Sequence, residues 1–77
     1  MSLKSEVLES MPIGIEMLTP EIAYKIRPKD TEYQHRMTTT RVYNALSLLA
    51  KWGDVELVGQ TNDGHNKSVV NKWIRRR

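Results

Sequence analysis

The segment TTTRVYNALSLLAKWGDV, residues 38–55, organises the chain around it. Val42, Ala45, Leu46 and Leu49 fall at the spacing that puts apolar side chains on one face of an α-helix, and Trp52 extends that face. Thr38 is the expected N-cap, because a threonine oxygen accepts from the free amides of a first turn. Lys51 sits near the negative end of the helix dipole. Gly53 stands where a left-handed C-terminal cap falls. Arg41, Asn44, Ser47 and Lys51 remain on the polar side. The spacing predicts a helix over 38–52 with one face packed and the other offered to a partner.

Downstream, Val55, Leu57 and Val58 predict a strand over 55–60, and residues 68–74 a second. Asn62-Asp63-Gly64 between them is a turn signal, and Asp-Gly suits a type I′ hairpin. Such a turn pairs Leu57 with Val70 and Val58 with Val69. Upstream, Leu3, Val7, Leu8 and Met11 predict a short amphipathic helix, which Pro12 and Gly14 end. Residues 13–18 have no helical period and read as a connector or a very short strand. Thr19-Pro20-Glu21 opens a second helix, with threonine as cap, proline at the first helical position and an acid against the dipole. Ile22, Ala23 and Ile26 form its apolar side, and Pro28 stops it. Residues 28–37 read either as a loop or as a helical extension, with Asp30 or Thr31 able to cap a turn.

The chain has 77 residues, 39% hydrophobic and 27% charged, which fits one folded domain and argues against disorder. It has no cysteine, so neither a disulfide nor a Cys-ligated zinc supports the small core. No apolar run approaches the roughly 20 residues that span a bilayer. The first residues lack the apolar core of a secretory signal, so the expected location is cytoplasmic or nucleoid-associated. Charge is uneven. Residues 1–37 hold five Lys/Arg and six Asp/Glu, for −1; residues 38–77 hold seven and three, for +4. A basic half draws in a phosphate backbone by releasing its counterions. Arg75-Arg76-Arg77 reads as a mobile basic tail.

The order is helix, connector, short helix, turn segment, longer helix, hairpin. In this order the chain resembles the winged helix-turn-helix family of DNA-binding domains. The residues that carry the resemblance are Thr19-Pro20-Glu21-Ile22-Ala23 in the second helix and Thr39 to Leu46, with Leu49, Gly53 and Val55, in the third helix and its exit. The implied fold is mainly α with a β-hairpin: three helices plus a wing. Residues 38–52 would be the recognition helix and 55–74 the wing. The implied function is double-stranded DNA binding, as a small transcriptional regulator. The connection of about ten residues between the second and third helices is longer than the simplest motif allows.

A helix entering the major groove needs short hydrogen-bonding groups on its exposed side. Thr39 and Thr40 are such groups, and a helix N-terminus at Thr38 would attract phosphate. Arg41 can bridge to guanine or phosphate, and Asn44 can pair with adenine. Tyr43, Ser47 and Lys51 are candidate backbone contacts, and His65 and Lys67 at the wing can reach an adjacent minor groove or the backbone. The plainer alternatives are solvation of Thr39, Thr40 and Asn44, and packing of Tyr43 against the core edge. Trp52 and Trp73 read as packing residues, since neither has the aromatic neighbours of a single-strand platform.

Catalysis is not expected. His35 and His65 lack a partner at metal spacing, and neither a nucleophile elbow nor a phosphate-cradling loop is present. No cofactor or metal is expected. The rival reading is a winged-helix protein-interaction module, since a fold does not fix function. Leu48 and Tyr24 suit a protein contact, and Leu3 and Val7 a homodimer. RNA binding has no signature here.

Overall fold

The computed structural model describes residues 2–62 and 69–77. Its order is α1 (Leu3–Ser10), β1 (Glu16–Leu18), α2 (Thr19–Ile26), α3 (Glu32–Lys51), β2 (Val55–Asn62) and β3 (Val69–Arg75). Three helices pack against a three-stranded antiparallel sheet of order β1-β3-β2. One residue set joins them: Val7 and Met11 of α1 and its exit, Ile22 and Ala23 of α2, Val42, Ala45, Leu46 and Leu49 of α3, Val55 and Trp73 of the sheet.

Helix α3 starts six residues before the expected position. Its N-cap is Thr31, not Thr38. Thr31 Oγ1 accepts from the Gln34 amide at 3.3 Å, and Gln34 Oε1 accepts from the Thr31 amide at 3.0 Å. This reciprocal box satisfies two amides that a helix start otherwise leaves open. Residues 28–37 therefore divide into a tight loop and the first turns of α3. The link between α2 and α3 is residues 27–31, not ten residues. Thr38 instead donates to Asp30 Oδ2 at 2.6 Å and ties that link to the helix.

The C-terminal end of α3 follows the expectation. Gly53 has φ +82°, its amide reaches the Ala50 carbonyl at 3.1 Å, and the Asp54 amide reaches Leu49 at 3.0 Å. These are the two bonds of a Schellman closure, and the left-handed residue between them favours glycine. Trp52, expected on the packed face, is 55% exposed, with the Lys4 ammonium 4.5 Å from its ring centroid. The helix has left the core by that point, and the indole lies on the surface under a cation.

Thr19 does not cap α2; Leu18 precedes that helix, and its amide donates to Glu21 Oε1 at 2.8 Å. Thr19 is buried. Its hydroxyl accepts from Trp73 Nε1 at 2.8 Å and donates to the Asn71 carbonyl at 3.3 Å, joining α2 to β3. A buried indole N–H needs such a partner.

The hairpin register also differs. Leu57 pairs with Trp73, and Thr61 and Asn62 pair with Val70 and Val69. Val58 is an extra residue between Leu57 and Gly59, a bulge that offsets the two arms. Asp63 and Gly64, the expected turn, lie outside the described residues. Arg75, expected to begin a mobile tail, is the last residue of β3. Its Nη1 donates to the Leu8 carbonyl at 2.8 Å and the Met11 carbonyl at 3.4 Å, at the C-terminal end of α1. Arg76 pairs with Glu56, and Arg77 donates to the Trp52 carbonyl at 3.1 Å.

Candidate nucleic-acid interface

The candidate site is built on the side of α3 that the core does not use. At about 3.6 residues per turn, Thr40, Asn44, Ser47 and Lys51 follow one stripe opposite Val42, Ala45, Leu46 and Leu49. Thr40, Asn44 and Lys51 are exposed and Ser47 is half-buried. The longer helix extends that stripe back through Arg36 and Tyr33, which is 72% exposed. Sequence reasoning missed these two because residues 28–37 had no assigned conformation. The signal that finds them is Thr31-x-x-Gln34, a capping box.

Arg41 and Tyr43 do not share the stripe. They lie two residues apart, hence about 200° around the helix from each other, on opposite flanks of the exposed face. Tyr43 turns toward the sheet, where its ring meets Trp73 edge-on with centroids 6.0 Å apart. Thr39 is half-buried. His65 and Lys67 lie outside the described residues.

The threonines are not at a helix N-terminus, so the expected phosphate site at the amides of 38–40 is absent from that position. Thr39 Oγ1 donates to the His35 carbonyl at 2.8 Å, Thr40 Oγ1 to Arg36 at 3.2 Å, and Ser47 Oγ to Tyr43 at 3.0 Å. Each hydroxyl hydrogen is thereby committed to the helix, and the oxygen remains an acceptor. The stripe thus offers hydroxyl acceptors at Thr40 and Ser47 and an amide with both functions at Asn44.

Past Glu32, which borders the face one turn before Arg36, the charge on it has one sign. Residues 33–51 contain Arg36, Arg41 and Lys51 and no Asp or Glu. Arg36 lies 3.8 Å from Glu32 in an exposed pair, which is worth little. Among the described residues neither Arg41 nor Lys51 has a carboxylate partner. Apolar groups interrupt the face: Met37 is 45% exposed and Leu48 43%. Beside the stripe, between the first half of α3 and the hairpin, is an open cleft of about 400 Å³.

Among the described residues no cluster of three or more His, Asp or Glu could hold a metal ion, and no helix is long and apolar enough to cross a membrane. Compared with known proteins, the chain matches no family model, no curated protein and no solved structure.

Proposed function

We propose that the chain is a winged helix-turn-helix domain that binds double-stranded DNA through the outward face of α3, as a small transcriptional regulator. The observation that carries this reading is the stripe Arg36–Thr40–Asn44–Ser47–Lys51, polar and basic, with no acid of its own although Glu32 borders Arg36 at its start, and exposed but for the half-buried Ser47. The fold supports it at three points. The order of elements is that of the resemblance, the α2–α3 link is only residues 27–31, and the β2–β3 hairpin follows α3 directly. In this reading Asn44 makes two hydrogen bonds to an adenine edge, and the Thr40 and Ser47 oxygens accept from exocyclic amines. Arg36, Arg41 and Lys51 neutralise phosphates on either side. In this reading the domain positions itself on DNA and performs no chemistry.

The test is a fluorescence-anisotropy titration with random-sequence duplex over a range of salt. Three α3 cations neutralising one phosphate each predict a slope of log K against log salt of about −2.7 or steeper. A flat salt response, or no binding at low salt, overturns the reading.

A second reading, docking of a protein, is favoured by Met37, Leu48 and Trp52, which leave apolar surface along α3. It predicts binding that survives substitution of Asn44 and Lys51 and fails when Leu48 and Trp52 are replaced.

A further inference from the structure

We infer that the cleft between the first half of α3 and the hairpin binds a single unpaired nucleobase, carried by a free nucleoside or by a strand in which that base has no partner. The inference deepens the DNA reading, since the cleft borders the stripe at Thr40, but it rests on different chemistry.

The size fits. About 400 Å³ lies within the range of small-molecule sites, roughly 300–1,000 Å³. The charge also selects. Among the described lining residues there is no Asp, Glu, His, Lys or Arg, although α3 is basic just outside. A phosphate or carboxylate finds no counter-charge among these described residues, whereas a neutral ring needs none. Pro20, Tyr43 and Val69 supply apolar wall; Val69 is 62% exposed and Tyr43 43%, so both keep surface for a ligand. Flat apolar and aromatic surfaces suit a planar ring.

The polar edge comes from the hairpin. Gln60 Nε2 donates to Asn71 Oδ1 at 3.0 Å across the β2–β3 pair. Among the described residues that bond leaves Gln60 Oε1 as an acceptor and Asn71 Nδ2 as a donor on the two joined amides. A neighbouring acceptor and donor is the pattern that reads a base edge. The Thr39 oxygen, its hydrogen committed to His35, adds a second acceptor. The cleft is held in shape from below. Thr19 bridges the Trp73 indole and the Asn71 carbonyl, and Tyr43 meets the Trp73 ring edge-on. A base stacked inside a duplex has both faces covered and cannot enter between such walls, so the ligand is an unpaired one.

The experiment is an amide-resolved NMR titration of the whole chain with adenosine and with cytidine, against the variants Gln60→Ala and Gln60→Ala/Asn71→Leu. Gln60 is exposed, so the single variant keeps the test valid if the double variant fails to fold. The expected result is saturable shifts at Tyr43, Gln60 and Asn71, with a dissociation constant on the order of 1 mM for so small a ligand. Loss of the amide contact should weaken it about tenfold. No saturable shift, shifts spread away from the cleft, or unchanged affinity in Gln60→Ala overturns the inference. A second arm compares a fully paired duplex with the same duplex carrying one bulged base. Tighter binding of the bulged duplex, lost in Gln60→Ala, assigns the base to a strand; equal binding alongside adenosine shifts assigns it to a free nucleoside. Adenosine binding without binding of the paired duplex overturns the DNA reading and upholds the base site.

Discussion

Replacing Arg75 by methionine separates a structural arginine from a basic tail. The change keeps the long apolar stem and its backbone pairing in β3, and removes only the guanidinium. In the structure that group donates to the Leu8 carbonyl at 2.8 Å and more weakly to Met11 at 3.4 Å. The Leu8 carbonyl also accepts from the Met11 amide at 3.1 Å, so it is not orphaned by the loss. One hydrogen bond from a charged donor contributes about 1.5–3 kcal/mol. A cation at a helix C-terminus adds about 0.3–1 kcal/mol. The second bond is long and partial exposure discounts the sum, so the expected loss is about 2 kcal/mol. For a domain of this size that lowers Tm by on the order of 10 °C. Arg76 supplies the control. Its pair with Glu56 is half exposed on both sides, and Arg76→Ala should cost at most about 1 kcal/mol. Thermal denaturation followed by circular dichroism measures both. An Arg75→Met protein that melts with the wild type, or at a temperature no lower than Arg76→Ala, would refute the assignment of Arg75 to the α1 terminus.

Three further expectations follow from the same packing. Leu46→Ala should cost about 2–5 kcal/mol, since Leu46 is 0% exposed at the centre of the core; urea denaturation reads the loss, and a wild-type midpoint contradicts it. Gly53→Ala should cost about 1–2 kcal/mol through the left-handed backbone at φ +82°. The nearest atom to the added carbon is Nη2 at the far end of the Arg77 side chain, which can shift aside, so backbone conformation more than crowding sets that cost, and an unchanged melting curve would contradict it. Thr31→Ala should cost about 1 kcal/mol and fray the first turn of α3; amide exchange at Tyr33 and Gln34 no faster than in the wild type would restore Thr38 as the helix start.

The centre of α3 was legible because Val42, Ala45, Leu46 and Leu49 obey one period and a single glycine closes the helix. Its beginning was not. Three consecutive threonines read as a cap and its neighbours, since β-branched residues are mediocre helix formers. Within the folded helix their hydroxyls return to carbonyls four residues back or to Asp30. The box Thr31-x-x-Gln34 was in the sequence, but only the packing of α2 against α3 selects it over Thr38. Strand β1 was ambiguous for a related reason. Three residues carry no period, and Glu16–Leu18 become a strand only by pairing with Lys72–Ile74 at the other end of the chain. The register of β2 and β3 was hidden by the Val58 bulge, which a regular alternation does not announce. Arg75 was misread because a terminal arginine run looks the same whether solvated or packed. At the site, Asn44, Ser47, Thr40 and Lys51 were found on one face, whereas Arg41 and Tyr43, chosen by residue type, fall on opposite flanks.

Amide chemical-shift mapping on addition of a random-sequence duplex tests most directly whether α3 faces DNA. The account predicts the largest changes at Arg36, Thr40, Asn44, Ser47 and Lys51, fading as salt is raised. Changes confined to Leu48, Trp52 and α1, or none along α3, would contradict it.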